Sequence, residues 1–411
     1  MSYVATLANW DALLQEDYVQ GQIVSAINIA TPFRDTLKRV GMTSGRERVY
    51  AAKVGASQGQ GARAEGASMP QYGAGEYQDV TLKARYNYAP FKITGQSEEF
   101  GNEKAFVDFA MQILKDTKEG LRLYTGRQAW ADGQGILALV SLVGGYAAGS
   151  NSIAVDSAYG QLWGSTATNT TFLLKRKMAV QFGTEDNGGQ GYQVLSVSST
   201  SITISPPLQN AIADDATITI LGAGNLEMEG MLIGGATAAF MTTLGLPSTV
   251  YHGINRTNFQ EWEGNVVNIA AALSLSAIRG VRDTIYKRTD DEESNLFMCS
   301  TEMVSDYEAL LQPGQRFVPA VKLEGGHTII EHDGLRISKD SRAPIKAIFL
   351  ADTKAIALAQ TRDPHWLQDG QGIMRVVPGQ DAKEALLKHY ANWDYEEPRR
   401  MGIGYNITHT P

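Results

Sequence analysis

His327, Glu331 and His332, in the run HTIIEH, are residue types that hold zinc. Their spacing argues against it, because in a strand positions 327 and 331 share one face while 332 points to the other, and the three cannot converge. A solvated strand edge is the expected reading. The acidic run Asp290 to Glu293 could attract a cation, but a charged loop after a helix is ordinarily solvated. Lys175, Arg176 and Lys177 form the most compact basic run and could face phosphate, yet three charges inside a polar stretch usually mark plain surface. Tyr86, Tyr88 and Phe91 could stack on bases, although their spacing fits a strand packed on a neighbour better. GQGARA, from Gly59 to Ala64, is a degenerate dinucleotide fingerprint without the apolar helix and βαβ context that would make it work. No Walker loop, G-x-S-x-G elbow, H-E-x-x-H or C-x-x-C occurs. The sequence therefore points away from an enzyme, with no catalytic residue, cofactor or metal ligand expected.

What positions such residues is a chain of 411 residues with 43% hydrophobic content, enough for two or three domains. Formal net charge is −8, so the whole chain has no basic footprint for tight nucleic-acid binding. Cys299, the single cysteine, lies in an apolar run and reads as a buried thiol. The first residues carry neither a basic segment nor a continuous apolar one, so no secretory signal is expected. The longest mainly apolar stretch, Gly135 to Ala148, is too short and too glycine-rich to span a membrane, so a soluble protein is expected.

Residues 54 to 75 have almost no large apolar side chain and cannot bury enough surface to order themselves. Their flanks, Glu47 to Lys53 and Tyr77 to Gly95, read as strands, with Val80, Leu82, Ala84, Tyr86 and Tyr88 expected on one face. A hairpin with a coreless tip suggests a subunit contact. Asn102 is a plausible N-cap for a helix from about Glu103 to Trp130, whose apolar stripe runs through Phe106, Phe109, Ile113, Thr117, Leu121 and Tyr124. Before the hairpin, residues 1–45 read as an arm with short helical patches at Trp10 to Leu14 and Gln22 to Ala26. Residues 149–224 turn Ser-, Thr- and Gly-rich, with strands at Gln193 to Val197, Ser201 to Ser205 and Thr217 to Leu221, and read as an inserted β-rich module. A second long helix is expected over Gln260 to Arg288, and a third from an N-cap at Thr301 to a stop at Pro313 and Gly314. Strands at 327–331, 335–338, 347–351, 355–359, 373–378 and 388–395 complete a mixed pattern that favours α+β.

The order of arm, Gly-rich loop with RAEG (Arg63 to Gly66), return strand ending KITGQ (Lys92 to Gln96), long helix, and ADGQGIL (Ala131 to Leu137) resembles the major capsid proteins of tailed bacteriophages, the Hong Kong ninety-seven type capsid fold. The resemblance covers most of the chain. It implies an N-terminal arm (1–45), an extended loop (46–97), a spine helix opening a peripheral domain (98–148), the inserted β-rich domain (149–224), a return to the peripheral domain (225–257), an axial domain (258–344), and peripheral strands with the C-terminus (345–411). It further implies self-assembly as homo-pentamers and homo-hexamers into an icosahedral shell around double-stranded DNA, held without sequence-specific contact, in a virion assembled in the host cytoplasm. Implied partners are a portal protein, a decoration protein in some members, and a scaffolding protein. The arm is too short for a built-in scaffold, so a separate one is expected.

Lys53 and Lys83 lie on strands rather than at the tip, so no covalent cross-link between subunits is expected. Arg63, Glu65, Tyr72, Tyr86 and Tyr88 are the candidate intersubunit contacts. A nanocompartment shell of the same fold is the second reading. A carbohydrate-binding β-rich surface protein is the third, motivated by Tyr159, Trp163 and Tyr192 in the inserted module.

Overall fold

The structure, a computed structural model, describes residues 37–42, 46–96, 103–159, 162–163, 170–246, 249–289, 294–311, 321–322, 328–332, 334–368 and 373–409. The arm's helical patches, Asn102, the acidic run 290–293, Pro313, Gly314 and His327 lie outside these residues, as do the side chains of Phe106 and Phe109.

Strand β1 (Lys38–Gly41) precedes a two-stranded hairpin of β2 (Glu47–Gly55) and β3 (Glu76–Lys83), paired antiparallel from Glu47↔Lys83 outward. Ala84 then breaks the chain into β4 (Arg85–Thr94), so the expected single strand is two. The break also moves the buried face by one residue. Val80, Leu82 and Ala84 are buried as expected, but beyond the break Asn87 and Ile93 point inward while Tyr86 and Tyr88 are exposed. The physical reason is a change of partner, from β2 to a strand of the main sheet.

Helix α1 (Glu103–Gln128) follows, 26 residues and about 39 Å long at 1.5 Å per residue. Its described inner stripe includes Ile113, Leu121 and Thr125. Six strands, β5 (Ile136–Val140), β6 (Ser152–Ser157), β7 (Ala179–Phe182), β8 (Tyr192–Val197), β9 (Ser201–Ser205) and β10 (Thr217–Ile220), close into a barrel in the order β10-β5-β6-β9-β8-β7. The barrel thus begins ahead of residue 149, where the composition changes. Gly144, Gly145 and Gly149 take up positive φ in the turn between β5 and β6. Alternate residues fill its interior, among them Val140, Ile153, Val155, Val180, Phe182, Val194, Ile202 and Ile218.

Short helices α2 (Met231–Gly235) and α3 (Ala238–Thr243) and the pair β11 (Val250–Tyr251) and β12 (Ile254–Asn255) lead to β13 (Asn265–Asn268) and helix α4 (Leu275–Arg288). The expected helix from Gln260 is therefore half as long. Ser274 caps it by accepting from the Ala277 amide at 3.1 Å, and Val266 belongs to a strand whose partner lies at residues 402–405, far away in sequence. The next helix, α5 (Thr301–Leu311), is capped by Ser300 rather than Thr301.

Among the remaining strands, β14 (Leu296–Cys299), β15 (Val321–Lys322), β16 (Thr328–His332), β17 (Leu335–Lys339), β18 (Ile348–Ala351) and β23 (Gly402–Tyr405) join β13 in a seven-stranded mixed sheet ordered β13-β23-β18-β14-β17-β16-β15. β14 is buried on both faces, which explains its unbroken LFMC sequence and the buried Cys299. Strands β19 (Ile356–Gln360), β20 (His365–Trp366), β21 (Arg375–Val376) and β22 (Ala382–Tyr395) build the main sheet with β1 and β4. The residues after 344 consequently divide between two sheets, since β18 and β23 stand beside β14 and only β19 to β22 extend the sheet that carries β4. Sequence periodicity is blind to such a division because both sheets demand the same alternation. The result is a mixed, strand-rich α and β protein. No helix among the described residues is long and apolar enough to cross a membrane.

Candidate assembly interface

The hairpin has a root and a tip of opposite character. At the root, the outgoing strand offers Arg48, which pairs with Asp394 and with Glu396 at 2.8 Å, while the Tyr50 hydroxyl donates to Asp394 at 2.8 Å. The return side offers Arg85, which reaches Glu229 at 2.7 Å and the Asn225 carbonyl at 3.1 Å. Glu229 also meets His252 Nε2 at 2.8 Å and accepts from Asn392 at 3.1 Å. Asn392 donates in addition to the Lys83 carbonyl at 3.0 Å, and the Thr81 amide donates to the His252 carbonyl at 2.8 Å. Burial by itself would raise the Glu229 pKa, but the hydrogen bond and charge of His252 and the Arg85 guanidinium outweigh it and hold the carboxyl down at about 2. Asp394, with a fully buried side chain, is pushed the other way by burial. Apolar packing reinforces the root, where Ala52, Val54, Val80 and Leu82 are all buried. Each larger side chain among them contributes about 1.5–3 kcal/mol.

The tip, residues 56–75, has none of this. Its backbone makes one hydrogen bond to backbone among the described residues, Ala67 to Ala64 at 3.1 Å. Met69 is 87% exposed and Tyr72 wholly so. Arg63 and Glu65 are exposed and share this loop with Tyr72. Two glycines hold the halves of the loop together. A Cβ on Gly59 would meet the Gly73 amide nitrogen at 2.5 Å, and one on Gly73 would press even closer on the Gly59 nitrogen. Only glycine permits this backbone crossing.

Tyr86 and Tyr88 sit elsewhere, on β4. Tyr390 of β22 meets both edge-on, with ring centroids 5.0 Å and 5.8 Å away, and the Tyr88 hydroxyl lies 3.3 Å from that of Tyr390. They border a cleft of about 550 Å³ between β4, Tyr124 of α1 and the barrel residues 220–226. Within one chain, then, Arg63, Glu65 and Tyr72 share one loop, and Tyr86 and Tyr88 form a separate group on β4.

Sequence reasoning missed the root cluster altogether, as well as the buried pair of Arg127 with Glu227 and the Tyr159 hydroxyl that donates to Asp132 at 2.6 Å. The aromatics that motivated a carbohydrate site are structural: Tyr159, Trp163 and Tyr192 are all buried. Lys175 to Lys177 are on the surface of the barrel module, in the stretch before β7. Among the described residues no group of three or more His, Cys, Asp or Glu is placed to hold a metal ion.

No family model matches the sequence, and no curated protein does. Solved structures do. The capsid of cyanophage A-1(L) matches with a TM-score of 0.58 at 12% identity, over 96% of each chain. The capsid of a native GTA particle matches at 0.52 and 9% identity, over 99% of this chain and 100% of that one. The SrpI encapsulin of Synechococcus elongatus PCC 7942 reaches 0.47 at 7% identity, over 100% of this chain and 98% of that one, a likeness too slight to bear on the argument. The chain has the fold of phage capsid proteins.

Proposed function

We propose that this protein is a major capsid protein that self-assembles into an icosahedral shell around a double-stranded DNA phage genome, with a structural rather than catalytic role. One observation carries the reading. On a chain with the capsid-protein fold, residues 56–75 form no strand or helix, expose Met69 and Tyr72, and make a single backbone–backbone hydrogen bond among the described residues. A segment of that kind is stable only against a surface outside its own chain. One sequence occupying pentameric and hexameric positions needs contacts that tolerate small changes of angle, and a thin glycine-rich arm on a fixed root supplies them. Arg63, Glu65 and Tyr72 are the tip's contact residues, and Tyr86 and Tyr88 lie on the receiving side. A separate scaffolding protein, a portal protein and, on the outer surface, a decoration protein are the partners of such a shell. Its net charge of −8 suits loose confinement of a polyanion.

Electron microscopy of the purified protein, alone, with a crowding agent and co-expressed with a candidate scaffold, tests the reading. Closed shells or free pentamers and hexamers are expected. A monodisperse monomer under every condition would overturn it.

A further inference from the structure

Charge on the barrel is sorted by place. Its span, residues 136–221, holds only three cations, and they are consecutive: Lys175, Arg176 and Lys177. Among the carboxylates of the same span, Glu185, Asp186, Asp214 and Asp215 lie in the loops that follow β7 and precede β10. The Gly183 amide donates to the Thr217 carbonyl at 2.7 Å, which joins those loops at one end of the barrel, whereas residues 175–177 enter β7 from the other. The remaining carboxylate, Asp156, is on β6. Between Asp156 and Glu185 the chain carries no acidic residue, so nothing adjacent in sequence cancels the three charges. All three are exposed, and among the described residues neither Lys175 nor Arg176 forms an ion pair with a carboxylate.

The basic turn is also preformed. The Met178 amide closes it on the Lys175 carbonyl at 3.3 Å. The Lys177 amide donates to the Val194 carbonyl at 2.8 Å, and the Val194 amide returns a bond to the Met178 carbonyl at 2.9 Å, which ties the turn to β8. Just before it, Leu173 and Leu174 are buried and the Thr170 amide donates to the Ser199 carbonyl at 3.0 Å, in the turn between β8 and β9. Lys177 has a φ of 72°, a conformation that suits glycine, so the chain keeps a charged side chain where the backbone would favour none.

We propose that residues 175–177 bind the phosphate backbone of double-stranded DNA. Contacts to phosphate come mainly from Lys and Arg together with Ser and Thr hydroxyls, and Ser196, Ser199 and Thr200 are exposed on the hairpin that holds the turn. A formal net charge of −8 hides this site because the carboxylates that outweigh it are elsewhere. The site rests on the proposed shell reading for the source of its DNA, and it adds a task for the barrel, whose basic end then faces the genome. Phosphate contacts carry no sequence information, so every copy in a shell makes the same weak contact wherever the DNA lies.

Fluorescence anisotropy of a labelled duplex oligonucleotide, titrated with the unassembled full-length protein over a range of salt concentrations, tests the site. Each phosphate neutralised contributes about −0.9 to the slope of log affinity against log salt, so three cations give about −2.7 and a fourfold rise in salt weakens binding roughly fortyfold. Lys175→Gln with Arg176→Gln should reduce the slope to about −0.9, and adding Lys177→Gly, which the left-handed backbone accepts, should bring it close to zero. If the triple variant fails to fold, the double variant decides. An unchanged slope, or an equal loss from Lys115→Gln with Lys118→Gln on exposed positions of α1, would overturn the site. Poly-L-glutamate that displaces the duplex at equal charge concentration would point to an acidic protein partner instead and also overturn it. Electron microscopy of the same preparations keeps the two readings apart. Shells without the expected slope remove the DNA site alone, the slope without shells or capsomers removes the shell reading alone, and neither removes both.

Discussion

Root and tip of the same hairpin solve opposite problems. The root must not move relative to the body, and it is held by two arginines on separate strand segments gripping buried carboxylates, above a core face of Val54, Val80 and Leu82. The tip makes a single backbone–backbone hydrogen bond among the described residues, and it carries glycines, exposed apolar side chains and one cancelling pair of charges. Strong interactions are thus spent within the chain, and the adaptable ones face outward. The hairpin is a fixed bracket ending in a pliable contact, with the change of character at Gly55 and Gly75.

The largest effect that would break this contrast comes from the root. Glu229→Ala leaves Arg85, His252 and Asn392 without their shared acceptor, and losing one partner of a buried ion pair costs about 3–5 kcal/mol. Chemical denaturation should show that loss. A change below about 1 kcal/mol would mean that the root is held by apolar packing alone.

Acid offers a second, slightly smaller lever on the same residue. The folded-state pKa of Glu229 lies below its ordinary value, so the stability it contributes is present above about pH 4.3 and is lost as pH falls toward 2. At about 1.4 kcal/mol per pKa unit, the loss is on the order of 3 kcal/mol. Asp394, raised by burial, works in the opposite direction and favours the fold as it takes up a proton. Glu229→Gln should therefore flatten the acid limb of the stability profile between pH 5 and 2. An unchanged limb would show that His252 and Arg85 do not grip Glu229 in solution.

Tip variants should invert the pattern. Gly59→Val places side-chain atoms where the Gly73 backbone runs, so the crossing cannot form. Because the tip makes only the Ala67–Ala64 backbone hydrogen bond among the described residues, the isolated subunit should keep its stability within about 0.5 kcal/mol while shell assembly is lost. A destabilised subunit would show that the tip packs on its own body.

The two regions also differ in how far they can be read from sequence. The tip is legible because its signal is compositional, a run with almost no large apolar residue between two alternating stretches. The root is not, because Arg48, Arg85, Glu229, His252 and Asp394 come from five separate places and none sits in a motif. Long α1 is legible from its 3.6-residue stripe, yet α4 is overextended because Val266 and Ala270 fit that stripe while strand pairing with residues 402–405 claims Val266. The reversal of faces at Ala84 has a similar origin. Strand alternation predicts one face for Val80 through Tyr88, and only the distant β22, taking over from β2 as partner, turns Tyr86 and Tyr88 outward. The barrel's true start at Ile136 is hidden for the opposite reason: β5 is apolar like the body before it, and the conspicuous glycines belong to the turn that follows.

The smallest expected effect is the most specific to the tip. Arg63 and Glu65 are exposed, so on the proposed shell reading an ion pair that either made with a neighbouring copy would be worth only about 0–1 kcal/mol. A single weak pair would be undetectable in a dimer, but a closed shell repeats it at every contact, and repeated contacts add within one assembly. Arg63→Glu should leave the subunit's melting temperature alone and make assembly slower and more dependent on salt, because it turns a neutral tip into one carrying two negative charges. If the partners of Arg63 and Glu65 lie on each other's loops in neighbouring copies, the double swap Arg63→Glu with Glu65→Arg should restore assembly. If their partners lie on the cleft, the swap should fail as badly as the single change. Light scattering at two salt concentrations separates these outcomes, and assembly indifferent to all three variants would show that the tip binds through its backbone and apolar side chains alone.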